Sequence, residues 1–125
     1  MKKILVVDDE KAVCSLVKDG LEAVSPYQVI VATNGKEALR AAGRHKLDLI
    51  LLDIIMPGMD GFEVLKRLKD NMSTVAIPVA MLTSRSDDTA KETASRLYDE
   101  EYITKPFALD DLKARIEEVL RRRGK

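Results

Sequence analysis

Five polar side chains suited to metal or group-transfer chemistry each follow a short apolar run of the chain. Asp8 and Asp9 follow the first run, and Asp53, Thr83 and Lys105 follow three later ones. Carboxylates bind hard divalent cations and can act as nucleophiles, while an ammonium or a hydroxyl binds anionic oxygens. If the five side chains meet, they form a strongly acidic pocket with one cation and one hydroxyl on its rim.

The apolar runs predict strands that are buried on both faces, and therefore a parallel sheet covered by helices. They span residues 4–7, 49–52, 79–82 and 102–104, and a further strand is predicted at 28–32. In such a sheet, ligands bind in the crevice outside the carboxyl ends of the strands, near the switch in strand order. The polar residues that end the runs should therefore converge on one pocket.

Helical patterning fills the gaps between these strands. The first predicted helix, residues 11–24, has an inward face at spacings of three and four that consists of Val13, Leu16, Val17, Leu21 and Val24. Asn34 is a good N-cap for the second helix, and Glu37 completes a capping-box pattern three residues later. That helix is expected to end near Gly43.

Three more helices complete the alternation of strands and helices. The third places Phe62, Leu65 and Leu68 on one face, and the last places Leu109, Leu112, Ile116, Val119 and Leu120 in register. The fourth, residues 87–98, has only two alanines and one leucine on its inward face, so we expect it to be the most mobile element. Five successive strand–helix units predict one α/β domain over residues 1–125, a doubly wound five-stranded parallel sheet with five helices.

Composition excludes several classes of protein. The 21 basic and 21 acidic residues balance, so no net charge favours direct binding of nucleic acid or of a membrane surface. No apolar stretch approaches the ~18 residues that cross a bilayer. A single cysteine, Cys14, excludes an intramolecular disulfide and fits a reducing cytoplasm, where we expect the protein to reside. We interpret Cys14 as a core-edge side chain.

Repulsion within the acidic pocket predicts a metal ion. Two like charges 4 Å apart repel by about 4 kcal/mol at an effective dielectric constant of 20. Three such pairs among Asp8, Asp9 and Asp53 would rival the stability of a whole domain, typically about 5–15 kcal/mol. Because the ligands are oxygens, Mg²⁺ is the expected cation. Solvated loop acids would be the alternative, but these three all end buried strands.

Four motifs in order resemble the receiver domain of bacterial two-component response regulators, which has the flavodoxin-like (CheY-like) fold. The resemblance extends from residue 4 to about residue 120. The matching segments are Asp8-Asp9, the run from Asp53 through Pro57 to Gly61, Thr83-Ser84, and the run from Tyr102 through Lys105-Pro106 to Phe107. Any one motif is weak, but four at these spacings are specific.

The resemblance implies a role for each of these residues. Asp53 would accept a phosphoryl group, and Lys105 and Thr83 would bind its oxygens. Asp9, Asp53 and the backbone carbonyl of Ile55 would bind Mg²⁺ directly, with Asp8 acting largely through a metal-bound water. Thr83 and Tyr102 would form the switch, in which the hydroxyl moves toward the phosphoryl group and the ring turns inward.

The resemblance also implies structural roles and positions that vary within the family. The bond preceding Pro106 is expected to be cis, and Pro57 and Gly61 are expected to shape the loop after Asp53. Ile55 and Arg85 stand two residues after Asp53 and Thr83, at variable positions that tune hydrolysis of the acyl phosphate. Since Ile55 cannot orient a water, we expect a long-lived acyl phosphate.

Partners follow from the same resemblance. A sensor histidine kinase or a phosphotransfer protein would donate the phosphoryl group, and a downstream protein target would bind the face formed by the fourth helix, fifth strand and fifth helix. A homodimer is a further option. A stand-alone regulator and the receiver part of a longer protein, with a DNA-binding or enzymatic output domain, both stay open.

Two other classes of function compete with the phosphorylation switch. A receiver-like scaffold that binds partners irrespective of phosphate would be favoured by loss of an acidic residue, Thr83 or Lys105, and all are present. An aspartate-dependent phosphatase would need a second aspartate where the chain has Ile55. A flavin-binding protein would need a Ser/Thr/Gly phosphate loop where the chain has Asp8, Asp9 and Glu10.

Overall fold

Five strands form one parallel sheet in a computed structural model that describes residues 1–24, 26–83 and 101–123. The strands are β1 (Lys2–Val7), β2 (Tyr27–Ala32), β3 (Leu49–Asp53), β4 (Val79–Thr83) and β5 (Glu101–Thr104). Their order in the sheet is β2-β1-β3-β4-β5. The chain moves outward from β1 to β2 and then returns to the other side of β1. The carboxyl ends of β1 and β3 therefore flank the switch in strand order, where such sheets bind ligands.

The described helices are α1 (Lys11–Val24), α2 (Gly35–Arg44), α3 (Gly61–Lys69) and α4 (Leu109–Arg123). The last of these is the fifth helix predicted from the sequence. The helix expected at 87–98 lies outside the described residues. The predicted doubly wound α/β fold is confirmed, and the predicted bounds of the five strands and of the first two helices agree with the structure within two residues.

Two apolar clusters cover the two faces of the sheet. One contains Leu65 and Leu68 of α3 and alanines of α2, and the other contains Leu21 of α1 and Ile116 of α4. Residues 4–7 of β1 and all of β3 and β4 are buried, as the continuous apolar runs predict. Strand β5 is an exception, since it lies at the edge of the sheet and its Thr104 is exposed.

The predicted inward face of α1 is wrong at Leu16, whose side chain is 60% exposed. Cys14, Val17 and Leu21 are buried, with spacings of three and four. At about 100° per residue, Leu16 lies on the far side of the helix from the direction these three share. Val13 is half-buried at the margin of this face.

Side-chain caps begin two helices. The Asn34 side chain accepts a hydrogen bond from the Glu37 N–H at 2.9 Å, as predicted. The Glu37 carboxylate, however, binds the N–H and hydroxyl of Thr33 at 2.9 and 3.1 Å, where a capping box would bind the Asn34 N–H. Asp60 caps α3 in the same way, through the Glu63 N–H at 2.9 Å. Within the described part of the chain, no helix is long and apolar enough to span a bilayer.

Candidate functional site

Strand register brings the three predicted acidic ligands together. Val7 of β1 pairs with Leu52 of β3, so the residues that follow them, Asp8 and Asp53, are neighbours. One carboxylate oxygen from each of Asp8, Asp9 and Asp53 lies within 4.8 Å of the others. Asp8 is fully buried, Asp53 is 7% exposed and Asp9 is exposed to solvent. The cluster is thus open on the side of Asp9.

Lys105 joins this cluster from the carboxyl end of β5. Its ammonium donates to Asp8 Oδ2 at 2.8 Å and to Asp53 Oδ1 at 3.2 Å. The Lys105 N–H donates to the Thr83 carbonyl, which ties the loop after β5 to β4. The Lys105-Pro106 peptide bond is cis, as the resemblance implies. One ammonium therefore bridges two of the three carboxylates.

Asp8 is held more firmly than the other two acids. Its Oδ1 accepts a hydrogen bond from the Glu10 N–H at 2.9 Å, and its Oδ2 is bound by Lys105. The Cys14 thiol, which is buried, lies 3.3 Å from the Asp8 carbonyl oxygen and donates to it. Sequence reasoning missed both the Glu10 and the Cys14 contacts, because backbone donors and core thiols carry no distinctive pattern. With both carboxylate oxygens in use, Asp8 has less capacity for direct metal ligation than Asp9.

The protonation of the site is set by burial and by neighbouring charges. Burial, followed by the negative charges of Asp8 and Asp9, raises the pKa of Asp53 to about 6, although Lys105 opposes the shift. Burial by itself would lower the pKa of Lys105. The hydrogen bond to Asp8 and the charges of Asp53 and Asp8 outweigh it, so the pKa of Lys105 is raised. The lysine is therefore a permanent cation at neutral pH.

The two predicted switch residues lie on neighbouring strands, Thr83 at the carboxyl end of β4 and Tyr102 within β5. Thr83 ends β4, is 2% exposed and pairs in register with Thr104. Tyr102 of β5 packs against the cluster on the α2–α3 side of the sheet, and its hydroxyl oxygen is buried. The Tyr102 carbonyl accepts a hydrogen bond from Arg115 of α4 at 3.1 Å.

The loop after Asp53 depends on a glycine at its end. The Gly61 N–H donates to the Ile54 carbonyl at 2.7 Å, and a Cβ at Gly61 would lie 2.3 Å from the Asp53 carbonyl oxygen. Only glycine permits this approach of the two backbones. Pro57 is exposed within the loop, and Ile55 is 64% exposed. Arg85, the other predicted tuning residue, lies outside the described residues.

An apolar hollow adjoins Lys105 on the surface. It is lined by Val13, Leu16, Lys105, Pro106 and Phe107. Exposed apolar groups grouped beside a charged site are typical of a surface that meets another protein. Leu16, which the sequence placed in the core, is one of its walls.

The sequence profile of the response regulator receiver domain matches residues 4–117 of the chain. The chain belongs to this family. As a receiver domain it is the phosphorylation-switch module of two-component response regulators, a class of signalling proteins that interact with histidine kinases. The matched segment contains all the acidic residues of the cluster, together with Thr83, Tyr102 and Lys105.

Relatives and solved structures agree with this assignment. The chain is 42% identical to the alkaline phosphatase synthesis transcriptional regulatory protein PhoP of Bacillus subtilis, over 97% of the chain and 49% of that protein. It is 40% identical to the phosphate regulon transcriptional regulatory protein PhoB of Pseudomonas aeruginosa, over 98% of the chain and 53% of that protein. The receiver domain thus spans about half the length of these relatives.

The structure of the chemotaxis protein CheY4 of Vibrio cholerae superimposes with a TM-score of 0.87 at 30% identity. The match covers 95% of this receiver domain and 98% of CheY4. The five-stranded order and the placement of the helices are therefore those of a flavodoxin-like receiver fold.

Proposed function

We propose that Asp53 accepts a phosphoryl group from the histidine of a sensor kinase or phosphotransfer protein, which makes this domain a phosphorylation-dependent switch. The observation that carries the proposal is the Lys105 ammonium, placed 3.2 Å from Asp53 Oδ1 in a pocket with two further carboxylates. A carboxylate nucleophile beside a fixed cation is the arrangement that acyl phosphate formation requires. The domain would catalyse only its own phosphorylation and dephosphorylation.

Each residue of the pocket would have a separate role in phosphoryl transfer. An Asp53 oxygen forms the O–P bond while the P–N bond to the donor imidazole breaks and the electron pair stays on that nitrogen. With a pKa of about 6, Asp53 is mostly ionised at neutral pH and can attack without a general base. Lys105 then binds an oxygen of the transferred group, and the Thr83 hydroxyl binds another. Lys105 would have to release Asp53 to do so, while its contact with Asp8 keeps it in place.

The donor set fits Mg²⁺. Oxygens that share an octahedral Mg²⁺ at about 2.1 Å are separated by no more than about 4.2 Å, close to the spread of this cluster. Asp9, Asp53 and the Ile55 carbonyl would hold the ion, with Asp8 acting through a metal-bound water. When bound, Mg²⁺ neutralises charge on the phosphoryl oxygens during transfer.

The apolar hollow beside Lys105 is the proposed docking surface for the phosphodonor protein. Its lining includes the 60% exposed Leu16 and Lys105, whose ammonium binds Asp53 at 3.2 Å. Burial of the exposed part of the Leu16 side chain in a complex would contribute roughly 1–2 kcal/mol before the entropic cost of association. Docking here would present a donor histidine to Asp53.

The output surface is proposed to be the face formed by the fourth predicted helix, β5 and α4. Arg115 of α4 donates a hydrogen bond to the Tyr102 carbonyl and forms an ion pair with Glu101 at 3.5 Å. These contacts link α4 to β5, the strand that contains Tyr102. A downstream protein or a second copy of the chain would bind this face, and its affinity would depend on the positions of Thr83 and Tyr102. Because relatives such as PhoP and PhoB are named transcriptional regulators, control of transcription is the proposed output.

Incubation with phosphoramidate tests the proposal without a kinase. With Mg²⁺ present, intact mass should show one added phosphoryl group on the wild type and none on Asp53→Asn. Asp19→Asn, which removes an exposed carboxylate of α1, is the matched control and should be labelled like the wild type. Equal labelling of wild type and Asp53→Asn would overturn the proposal. A phosphate-independent scaffold predicts partner binding that is unchanged by phosphorylation.

A further inference from the structure

Strand β2 forms one open edge of the sheet, with half of its backbone groups directed outward. Ala32 faces β1, since its carbonyl accepts from the Asp8 N–H. Backbone groups alternate in direction along a strand, so Tyr27, Val29 and Val31 present theirs to the outside. An exposed row of N–H and C=O groups is a template for pairing with another strand.

Two side chains of α1 occupy the middle of this row. Lys18 Nζ donates to the Val29 carbonyl at 2.8 Å, and Glu22 Oε2 accepts from the Val29 N–H at 2.8 Å. The two side chains also bind each other at 3.1 Å, one helical turn apart. A lysine and a glutamate thus satisfy both outward groups of one edge residue. The Val29 N–H, followed by Lys18, lowers the pKa of Glu22 and keeps this acceptor ionised at neutral pH.

We propose that the Lys18–Glu22 pair closes the β2 edge against pairing with β2 of a second copy of the chain. In an antiparallel pair centred on Val29, each Val29 would exchange both its N–H and its C=O with the other. Those are the two groups that Lys18 and Glu22 already bind. An incoming strand must displace both side chains before it can form its central pair of hydrogen bonds.

Without the Lys18–Glu22 pair, the β2 edge would fit β2 of a second copy of the chain. The strand YQVIVA is rich in residues that favour strands, and Val31 is 38% exposed beside the edge. A two-fold axis through Val29 would place identical strands side by side and extend the sheet.

The opposite edge of the sheet, formed by β5, carries a related contact. The Lys105 N–H faces β4, so the Tyr102 carbonyl, three residues earlier, faces outward and is bound by Arg115.

Two variants separate backbone capping from simple charge pairing. Lys18→Ala with Glu22→Ala removes both contacts. Lys18→Glu with Glu22→Lys keeps the ion pair and the composition but sets an acceptor against the Val29 carbonyl and a donor against its N–H. Glu63→Ala with Arg67→Ala is the control, because it removes an exposed ion pair of the same spacing from α3.

Hydrogen exchange and sedimentation velocity over a concentration series provide the readouts. In the wild type the Val29 amide should be protected although it lies at an edge. In dilute samples of both α1 variants its exchange should accelerate by about tenfold, as loss of one charge-assisted hydrogen bond predicts. Both variants should also self-associate at about tenfold lower concentration than the wild type and the control. In the associated state, the β2 amides should become protected again.

Fast exchange of Val29 in the unaltered chain would overturn the proposal without any variant, whether or not the altered chains fold. Folded variants whose association matches the wild type would also overturn it. So would association that leaves the β2 amides unprotected, since another surface would then be responsible. If Lys18→Glu with Glu22→Lys matches the wild type in Val29 exchange and in self-association, the ion pair alone is sufficient. That result would contradict the proposed capping of the Val29 backbone groups.

Discussion

Removal of the Asp53 charge should stabilise the metal-free domain at neutral pH. Asp53 has its pKa raised from 3.8 to about 6 in the folded state. Between these values the folded chain binds more protons than the unfolded chain, so stability falls as pH rises through this window. Above it, the ionised Asp53 lowers the free energy of unfolding. Asp53→Asn abolishes this loss and keeps the Lys105–Asp8 ion pair at 2.8 Å.

The expected stabilisation by Asp53→Asn follows from the size of the Asp53 pKa shift. About two pKa units correspond to about 3 kcal/mol, and solvent at the open side of the pocket screens part of this. We therefore expect Asp53→Asn to gain about 1–3 kcal/mol at pH 7 and little or nothing at pH 4. A gain of this size raises the melting temperature of a domain of this length by several degrees.

Urea denaturation at pH 4, 5, 6 and 7 in EDTA measures the effect for the wild type, Asp53→Asn and the control Asp19→Asn. The difference between wild type and Asp53→Asn should grow with pH, while Asp19→Asn should stay within about 0.5 kcal/mol of the wild type. An Asp53→Asn variant that is no more stable at pH 7, or whose gain is the same at every pH, would refute the electrostatic reasoning.

Three further outcomes are expected. Mg²⁺ at a hundred times its dissociation constant should stabilise the wild type by about 2.7 kcal/mol in thermal melts, and Asp9→Asn should lose most of this gain; an equal gain in both would contradict the metal assignment. Ile55→Asn should speed decay of the acyl phosphate by about tenfold, which corresponds to a barrier lower by ~1.4 kcal/mol. Arg85→Glu should act in the same direction. Unchanged decay in both variants would show that these side chains do not control the access of water. Gly61→Ala should destabilise the domain by more than about 1 kcal/mol in urea denaturation, because its Cβ would lie 2.3 Å from the Asp53 carbonyl oxygen; wild-type stability would show that the loop adjusts.

The sheet was predictable because buried parallel strands produce continuous apolar runs. The residues that end those runs then had to meet at one edge, which is why the sequence was sufficient to place Asp8, Asp53 and Lys105 together. The burial of β3 and β4 follows from the same signal.

Other features depend on tertiary contacts that a sequence pattern does not contain. Leu16 has helical spacing from Val13, yet the direction of the core is set by Cys14, Val17 and Leu21, which turn it outward. The Lys18–Glu22 pair looks like an ordinary surface ion pair until β2 is placed beside α1. The bridge from Lys105 to Asp8 was also missed, because the family resemblance implied only a contact with the phosphoryl group.

Asp53 alone should carry the phosphoryl group, and chemical trapping identifies the residue that is modified. Borohydride reduces an aspartyl phosphate to homoserine, so the reduced chain can be digested and the altered residue located by peptide mass spectrometry. After phosphoramidate and Mg²⁺ treatment, homoserine should be found at position 53 and nowhere else. Homoserine at position 8 or 9, or a phosphorylated chain that yields none, would contradict phosphorylation at Asp53.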